Sequence, residues 1–481
     1  MKAEVVLHHL GSLLGLLGVA LASGIGVAWA YAESDGIVWM GLSAAATVLV
    51  GVGLAAGYRK ARGLPVTRRD AFLIVSLAWA AIGAFGALPY LLSGVLSNPA
   101  DALFESISGF TTTGSSVIAH PSDLPRYIQY WRSLTQWLGG MGIIVLFVAV
   151  FSELGVGGRF LFSSEVPGPI SETVKPRIRD TSAALWKIYL LFTLAQVLAL
   201  IATGIGPFDA LCHAFTTMST GGFSTRDDSL AAFPAAAQWV VVAFMVLAGA
   251  NFSLYHVAFL GRATTLARDR ELRAYLGLLA VATMLIALNT AGRFHGVEES
   301  LRHSAFQVVS LATTTGFVTD NYDEYPSFAR LLLVMLMFVG GCAGSTAGGI
   351  KVIRLAILMK VLYRGLVRQV RPSIVMPIRL GRTVIPEQSI EETSGFFFIY
   401  LLTFALASLF VAAHGLDLAT SLSATAATLG NIGPGLERVG AISHYGDMPA
   451  AVKVVLSLCM ILGRLEMYTV LGLLIPSFWR R

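Results

Sequence analysis

Four stretches of this 481-residue chain end in small residues and a glycine, and they align without gaps over fourteen positions. They read DALFESISGFTTTG from Asp101 to Gly114, DALCHAFTTMSTGG from Asp209 to Gly222, HSAFQVVSLATTTG from His303 to Gly316 and TSLSATAATLGNIG from Thr420 to Gly433. Each is too apolar for an exposed loop and too short to cross a bilayer, which is the pattern of a re-entrant half-helix. A short helix that stops inside a membrane aims its negative dipole end and its unpaired carbonyls at whatever lies beyond it, and this favours a cation. In the first copy Asn98 suits a cap and Pro99 a first turn, so a helix ending before Thr111 is locally consistent. Past that end the chain must stretch with its carbonyls inward, a shape in which glycine meets least steric resistance. Four such strands around one axis would exchange the water shell of an ion for oxygen ligands. The candidate ligands are the carbonyls of Thr112 and Thr113, Thr220 and Gly221, Thr314 and Thr315, and Asn431 and Ile432, with Gly114, Gly222, Gly316 and Gly433 closing the strands. One Thr-Thr-Thr-Gly alone carries little weight, because threonine and glycine are common where helices pack. Four at matching positions carry much more, although the fourth copy, GNIGPG, enters the ring by position only.

The elements that must hold these segments are membrane helices. With 55% hydrophobic and 13% charged residues, the chain has about half the charge of a soluble domain. Apolar stretches long enough to span recur at roughly 5–32, 36–58, 71–94, 131–155, 184–206, 235–260, 275–292, 328–367, 395–415 and 450–476, each near the length that a core of about 30 Å requires. The expectation is an all-α membrane protein of ten spanning helices. Helices three to ten form four helix, pore-loop, helix repeats around a pseudo-fourfold central pore, and two N-terminal helices are added. The expected divisions are 1–66 for the N-terminal pair, 67–178, 179–268, 269–385 and 386–481 for the repeats, with a gating loop at 340–350. The second helix of each repeat carries a matching cluster, WLGGMGII at Gly139, VLAGANFS at Gly249, FVGGCAGS at Gly340 and ILGRLEMY at Gly463. Small residues there permit close approach or a bend.

Charge placement orients the chain. Arg59 and Lys60 follow the second helix, Arg262 and Arg268 the sixth, and Lys360, Arg364 and Arg368 the eighth, whereas Glu33, Asp35, Asp227, Asp228, Glu298 and Glu299 lie in the opposite connections. Basic loops mark the cytoplasmic side, and Lys2, Arg480 and Arg481 put both termini there. An acidic outer face would concentrate cations. The first helix ends in A-x-A spacings, but its apolar run is too long for a cleaved signal. Cys212, Cys342 and Cys459 show no paired spacing and read as packing residues. GVGLAA at Gly51 matches a dinucleotide fingerprint only in letters, since no strand and helix unit surrounds it. No catalytic pairing or metal-ligand spacing occurs among the nine histidines, so no enzyme is expected, and no nucleic-acid partner.

From Gly340 to Gly349 the eighth helix reads GGCAGSTAGG, where each glycine costs a helix up to about 1 kcal/mol. An unwound loop is expected, lining a wet cavity beneath the ring. Arg464 aligns with Gly341 in the repeat and should face that cavity, since a cation facing lipid is penalised. Loop and arginine together form a candidate gate of Gly340, Gly341, Gly344, Ser345, Thr346, Gly348, Gly349 and Arg464; the plainer reading is a helix break with Arg464 paired to Glu466 or another carboxylate. Lys351 and Arg354 read as anchors of the following half-helix, and Asn251 and His256 as helix-to-helix hydrogen-bonding groups.

The motifs GFTTTGSS from Gly109, WRSLTQWLGGMGIIVL from Trp131, FTTMSTGGFST from Phe215, GANFSLYH from Gly249, TTTGFVTDNY from Thr313, GGCAGSTAGGIKVIR from Gly340 and GNIGPG from Gly430 resemble the TrkH/KtrB/HKT superfamily of potassium transporters, and the N-terminal pair resembles its bacterial TrkH branch. The resemblance covers essentially the whole chain. It implies a potassium pathway in a bacterial cytoplasmic membrane, with one filter glycine per unit at Gly114, Gly222, Gly316 and Gly433. Potassium is then the substrate, held at the filter, and no cofactor is bound by this chain. It also implies a homodimer in the lipid bilayer, working with a cytoplasmic TrkA/KtrA-like nucleotide-binding regulatory subunit. Two other transport classes remain open: the potassium-translocating subunit of a pump, and a cation symporter.

Overall fold

The computed structural model describes residues 2–142, 178–262, 264–380 and 383–480. Its first two helices, α1 (Ala3–Ala30) and α2 (Ser34–Gly57), form a hairpin. Helix α3 (Arg68–Gly86) is started by a capping box in which Thr67 and Asp70 satisfy each other's backbone N–H groups, and it carries on through Leu88–Leu92.

After α3 the chain repeats one plan four times. The short buried helices are α4 (Pro99–Phe110), α7 (Pro207–Met218), α11 (Val297–Ala312) and α15 (Leu418–Leu429). Each is followed by an extended segment and a second, returning helix. The returning helices are α5 (Arg126–Gly140), α8 (Ala235–Ala248) with α9 (Phe252–Phe259), α12 (Ser327–Met337) with α13 (Val352–Val370), and α16 (Ala450–Arg464) with α17 (Tyr468–Leu471). The leading helices of the later units are α6 (Ile178–Ala202), α10 (Arg270–Asn289) and α14 (Glu387–Ala413). Beyond helices and turns, the described residues hold one antiparallel strand pair, Arg379 opposite Val384 and Leu380 opposite Thr383.

Six helices among the described residues are long and apolar enough to cross a membrane: α1, α2, Arg68–Leu92, Ser182–Ala202, α10 and α14. The pairs α8 with α9 and α16 with α17 bend by 90° and 106°, and make eight if each counts as one span. The expected count of ten is not reached in this way. The span at 131–155 lies partly outside the described residues, as does the end of the first repeat. The span at 328–367 is interrupted: α12 stops at Met337, and an irregular, glycine-rich segment precedes α13. Apolar side chains such as Met284, Leu285, Leu406 and Leu409 stay exposed on α10 and α14, as helices facing lipid require.

Glycine sets the close approaches. At the matched cluster, a Cβ on Gly139 would fall 1.9 Å from the Phe110 carbonyl oxygen, and one on Gly463 2.1 Å from that of Leu429. Where α8 and α12 give way to irregular backbone, a Cβ on Gly249 would fall 2.4 Å from the Tyr275 hydroxyl and one on Gly340 2.3 Å from the Gly348 carbonyl oxygen. In the N-terminal hairpin, a Cβ on Gly51 would lie 2.6 Å from the backbone nitrogen of Gly15, while Gly53, two residues on, has nothing within 4 Å. Overpacking of this kind costs about 1–3 kcal/mol. Gly51→Val should therefore lower the thermal midpoint of the detergent-purified protein by several degrees, and Gly53→Val should leave it unchanged; equal midpoints for the two variants would show that the hairpin is not backbone-limited.

Candidate functional site

Two of the buried helices begin with a side-chain cap, and all four end in the same way. Asn98 accepts from Ala100 N at 2.9 Å ahead of Pro99, and Asp417 accepts from Thr420 N at 2.8 Å. At the other end, Thr112, Thr220, Thr314 and Asn431 all take left-handed backbone, with φ of 55°, 54°, 58° and 55°. Behind them Thr113 N donates to Ser108 O at 2.9 Å, and Gly221 N, Thr315 N and Ile432 N donate to Thr216 O, Ser310 O and Ala427 O at 2.8 Å. These are four Schellman closures. A β-branched residue with positive φ is strained by about 1–3 kcal/mol, and three threonines bear this at equivalent positions.

Two residues later φ is positive again, at 81°, 79°, 81° and 106° for Gly114, Gly222, Gly316 and Gly433. Alternating handedness turns successive peptide planes the same way. The N–H groups face back to the helix end, so the carbonyls face away from it. There the four strands meet in a closed ring. A Cβ on Gly114 would lie 2.0 Å from Gly221 O, one on Gly222 2.0 Å from Thr315 O, one on Gly316 1.9 Å from Ile432 O, and one on Gly433 2.8 Å from Thr113 O. Every glycine thus faces the carbonyl that precedes the next unit's glycine, and the fourth returns to the first. All four line one cavity of about 110 Å³, together with Ser115, Phe223 and Pro434. The carbonyl oxygens of Thr113, Thr315 and Ile432 accept no hydrogen bond among the described residues. A ring of such oxygens can coordinate a dehydrated cation.

Side chains hold the ring from behind. Thr111 and Thr313 hydroxyls bond those of Thr113 and Thr315 at 2.7 and 2.8 Å. Asn431 Nδ2 donates across a unit boundary to Thr113 Oγ1 and to Met460 O, both at 2.9 Å. Ser115 and Tyr445 hydroxyls donate to Gly433 O at 2.9 Å each.

One buttress is not anticipated from the sequence. Glu105 and Arg132, both buried, meet at 2.9 Å behind the first strand. Glu105 also accepts from Ser116 Oγ and from Val117 N at 2.9 Å, and the Arg132 guanidinium lies 4.2 Å from the centre of the Phe223 ring. The signal was present as a lone carboxylate and a lone guanidinium in two apolar segments, where unpaired charge is costly.

The segment from Gly340 lies against the inner end of the ring. Gly348 N donates to Thr314 Oγ1 at 2.6 Å, and a Cβ on Gly348 would fall 2.3 Å from Gly430 O. Cys342 N donates to Gly249 O at 2.8 Å, Ser345 Oγ to Cys342 O at 2.6 Å, and Thr346 Oγ1 shares its proton between Met218 O and Ala248 O at 3.1 Å. Gly340, Gly344 and Gly349 have φ of 76°, 71° and 71°, and Gly341 packs on the Gly249 carbonyl. Arg464, buried, donates to Thr346 O at 3.0 Å and to Gly139 O and Gly140 O at 2.6 and 2.7 Å. Glu466 instead receives both terminal nitrogens of Arg354, at 3.0 and 2.6 Å. Lys351 turns back so that its ammonium donates to Ala347 O within the loop. Asn251 is a cap, accepting from Ser253 N at 2.8 Å where α9 begins, and Gly344 packs against its side chain.

Comparison with known proteins is consistent across sequence and structure. A family model described as TrkH, cation transport protein, matches residues 43–480. The Trk system potassium uptake protein TrkH of Halomonas elongata is 40% identical over all of both chains. Its counterpart in Escherichia coli strain K12 is 41% identical over 88% of each. The crystal structure of the potassium transporter TrkH from Vibrio parahaemolyticus superposes with a TM-score of 0.90 at 35% identity, covering all of both chains.

The ring distances grade the four glycines. Alanine at Gly114, Gly222 or Gly316 must displace a carbonyl furthest and should abolish ion flux in reconstituted liposomes, whereas Gly433→Ala, whose nearest contact of 2.8 Å asks for a smaller shift, should keep a measurable part of it. Equal loss at all four would mean that the contacts do not set access.

Proposed function

This chain belongs to the TrkH family of cation transport proteins, and we propose that it takes up potassium ions across a bacterial cytoplasmic membrane through the four-strand ring. The observation that carries the reading is the cyclic contact of Gly114, Gly222, Gly316 and Gly433 with carbonyls of successive units. An ion on that axis trades water for main-chain oxygen, and the glycines leave the oxygens unscreened. Glycine in all four places favours potassium, as does the description of the relatives as potassium uptake proteins. The domain divisions at 1–66, 67–178, 179–268, 269–385 and 386–481 belong to the same reading.

The ring is gated from below by residues 340–350 and Arg464. Support comes from the bonds of the loop to the second, third and fourth units and from the cross-link that Arg464 makes between Thr346 and the Gly139–Gly140 carbonyls. A potassium ion 4 Å from a guanidinium is opposed by about 4 kcal/mol at an effective dielectric of 20, roughly a thousandfold in occupancy. Moving the loop outward removes the plug and frees the arginine together. The basic loops after α2 and before α10 put both termini in the cytoplasm. A homodimer that engages a cytoplasmic nucleotide-binding subunit, as the resemblance implies, supplies the force that moves the loop. No catalysis is involved.

Liposomes containing only this chain should pass potassium faster than sodium under an imposed potential; absent flux both here and in the gate variants below would refute the pore reading, and equal flux of the two ions would refute its preference for potassium. Shortening the loop by removing Gly344, Ser345 and Thr346, or replacing Arg464 with alanine, should raise potassium flux about tenfold or more. Unchanged flux in a folded variant would leave the loop a structural break.

A further inference from the structure

The ring is not equivalent in its second quarter. At the position before the glycine, three units carry Thr113, Thr315 and Ile432, while the second carries Gly221. The space that a side chain would fill there is taken by Gln136 of α5: a Cβ on Gly221 would lie 2.4 Å from the Gln136 carboxamide carbon. Gln136 is fully buried. Its Nε2 donates to Gly221 O at 2.7 Å, and its Oε1 accepts from Phe223 N at 3.1 Å. The backbone N–H of Phe223 can only donate, so the orientation of the carboxamide is determined. One side chain therefore spans Gly222 and grips the strand on both sides of it. The repeat shows that this is a matched pair of departures. Three residues before the cluster glycines Gly139, Gly249, Gly340 and Gly463 stand Gln136, Val246, Met337 and Met460. The polar residue occurs only in the unit whose helix packs on the strand that lacks a side chain.

We propose that Gln136 is a specificity-determining positioning residue, which replaces the missing side chain of the second strand and sets the reach of the Gly221 carbonyl toward the ion. The assignment rests on the pore reading above. The field strength and number of carbonyls at a filter set which ion is preferred, and Gly221 O is the one carbonyl of its level that already accepts a hydrogen bond. Without Gln136 the strand loses two hydrogen bonds, and its carbonyl is free to follow a smaller ion inward.

The test compares initial rates of potassium and sodium influx into liposomes for the parent chain, Gln136→Met, Gly221→Thr and the double variant Gln136→Ala with Gly221→Thr. Methionine is the residue that two other units carry at this place. Q136M should lower the potassium-to-sodium ratio about fivefold or more, while gel filtration and yield match the parent. G221T should block both ions, and the double variant should regain flux, because the threonine then has the vacated space. A Q136M ratio equal to that of the parent, at any absolute rate, overturns the assignment, as does a double variant no better than G221T. If neither the parent nor its Arg464→Ala form conducts either ion, the pore reading itself fails and takes the assignment with it. If Q136M does not fold, recovery in the double variant decides the matter.

Discussion

A dehydrated cation needs oxygen on several sides at once, and a protein backbone can deliver it only if neighbouring strands come closer than side chains permit. In the pore proposed for this chain, four glycines meet that demand together. Each lies against a carbonyl of the following unit, with no room for a Cβ at any of the four contacts and least at the first three. The ring contacts join all four units at one level. Displacing one glycine moves a carbonyl that belongs to a neighbour, so the constraint is shared around the axis.

Strain at the helix ends follows from the same demand. A helix that simply frayed would leave its last N–H groups free to turn toward the axis and spoil a site for a cation. The left-handed Thr112, Thr220, Thr314 and Asn431 tie those N–H groups back to the helix, which leaves oxygen alone to face inward. The threonines tolerate a positive φ because their surroundings determine it. Thr314 is bonded by the loop through Gly348 N, and Asn431 is bonded to the first unit. The glycine-rich segment is thus attached to one of the strained residues, Thr314, itself, which in the proposed pore would connect it directly to the ion.

The fourfold plan was legible because backbone requirements leave marks on residue type. Glycine recurs where φ is positive and contacts are close, and small residues recur at Gly139, Gly249, Gly340 and Gly463 for the same reason. The break at Gly340–Gly349 was legible in helix propensity alone. The order in which the units contact one another was not, since a strand's neighbour is set by tertiary packing. Nor were the partners of buried charge. Arg464 and Glu466 are two residues apart and look like a pair, yet positive φ at Glu466 and Met467 ends α16 between them. The carboxylate swings to Arg354 while the guanidinium stays with the carbonyls of the loop and α5. Asn251 misled in a similar way, because a polar residue in an apolar run reads as a contact between helices until the helix is known to break there and need a cap.

The residues that stand behind the ring show where symmetry stops. Nine positions before the glycine, the four units carry Glu105, His213, Gln307 and Ala424. Glu105 holds Ser116 and Val117, His213 holds the Ser224 hydroxyl at 3.0 Å, and Gln307 holds Asp320 O at 3.2 Å. In the fourth unit the neighbouring Ser423 does this work, accepting from Leu436 N at 2.9 Å. All four solve one mechanical problem, bracing the strand beyond the glycine against its own helix, and any hydrogen-bonding side chain of suitable reach solves it. Backbone chemistry at the axis is therefore held fourfold, while the charge behind it differs in every quarter: an ion pair, an imidazole, a carboxamide and a hydroxyl. In the proposed pore an ion at the ring would meet nearly equivalent oxygens in an unequal field. Separate control of these two properties is what a single chain of four divergent repeats permits, and what four identical subunits around an axis do not.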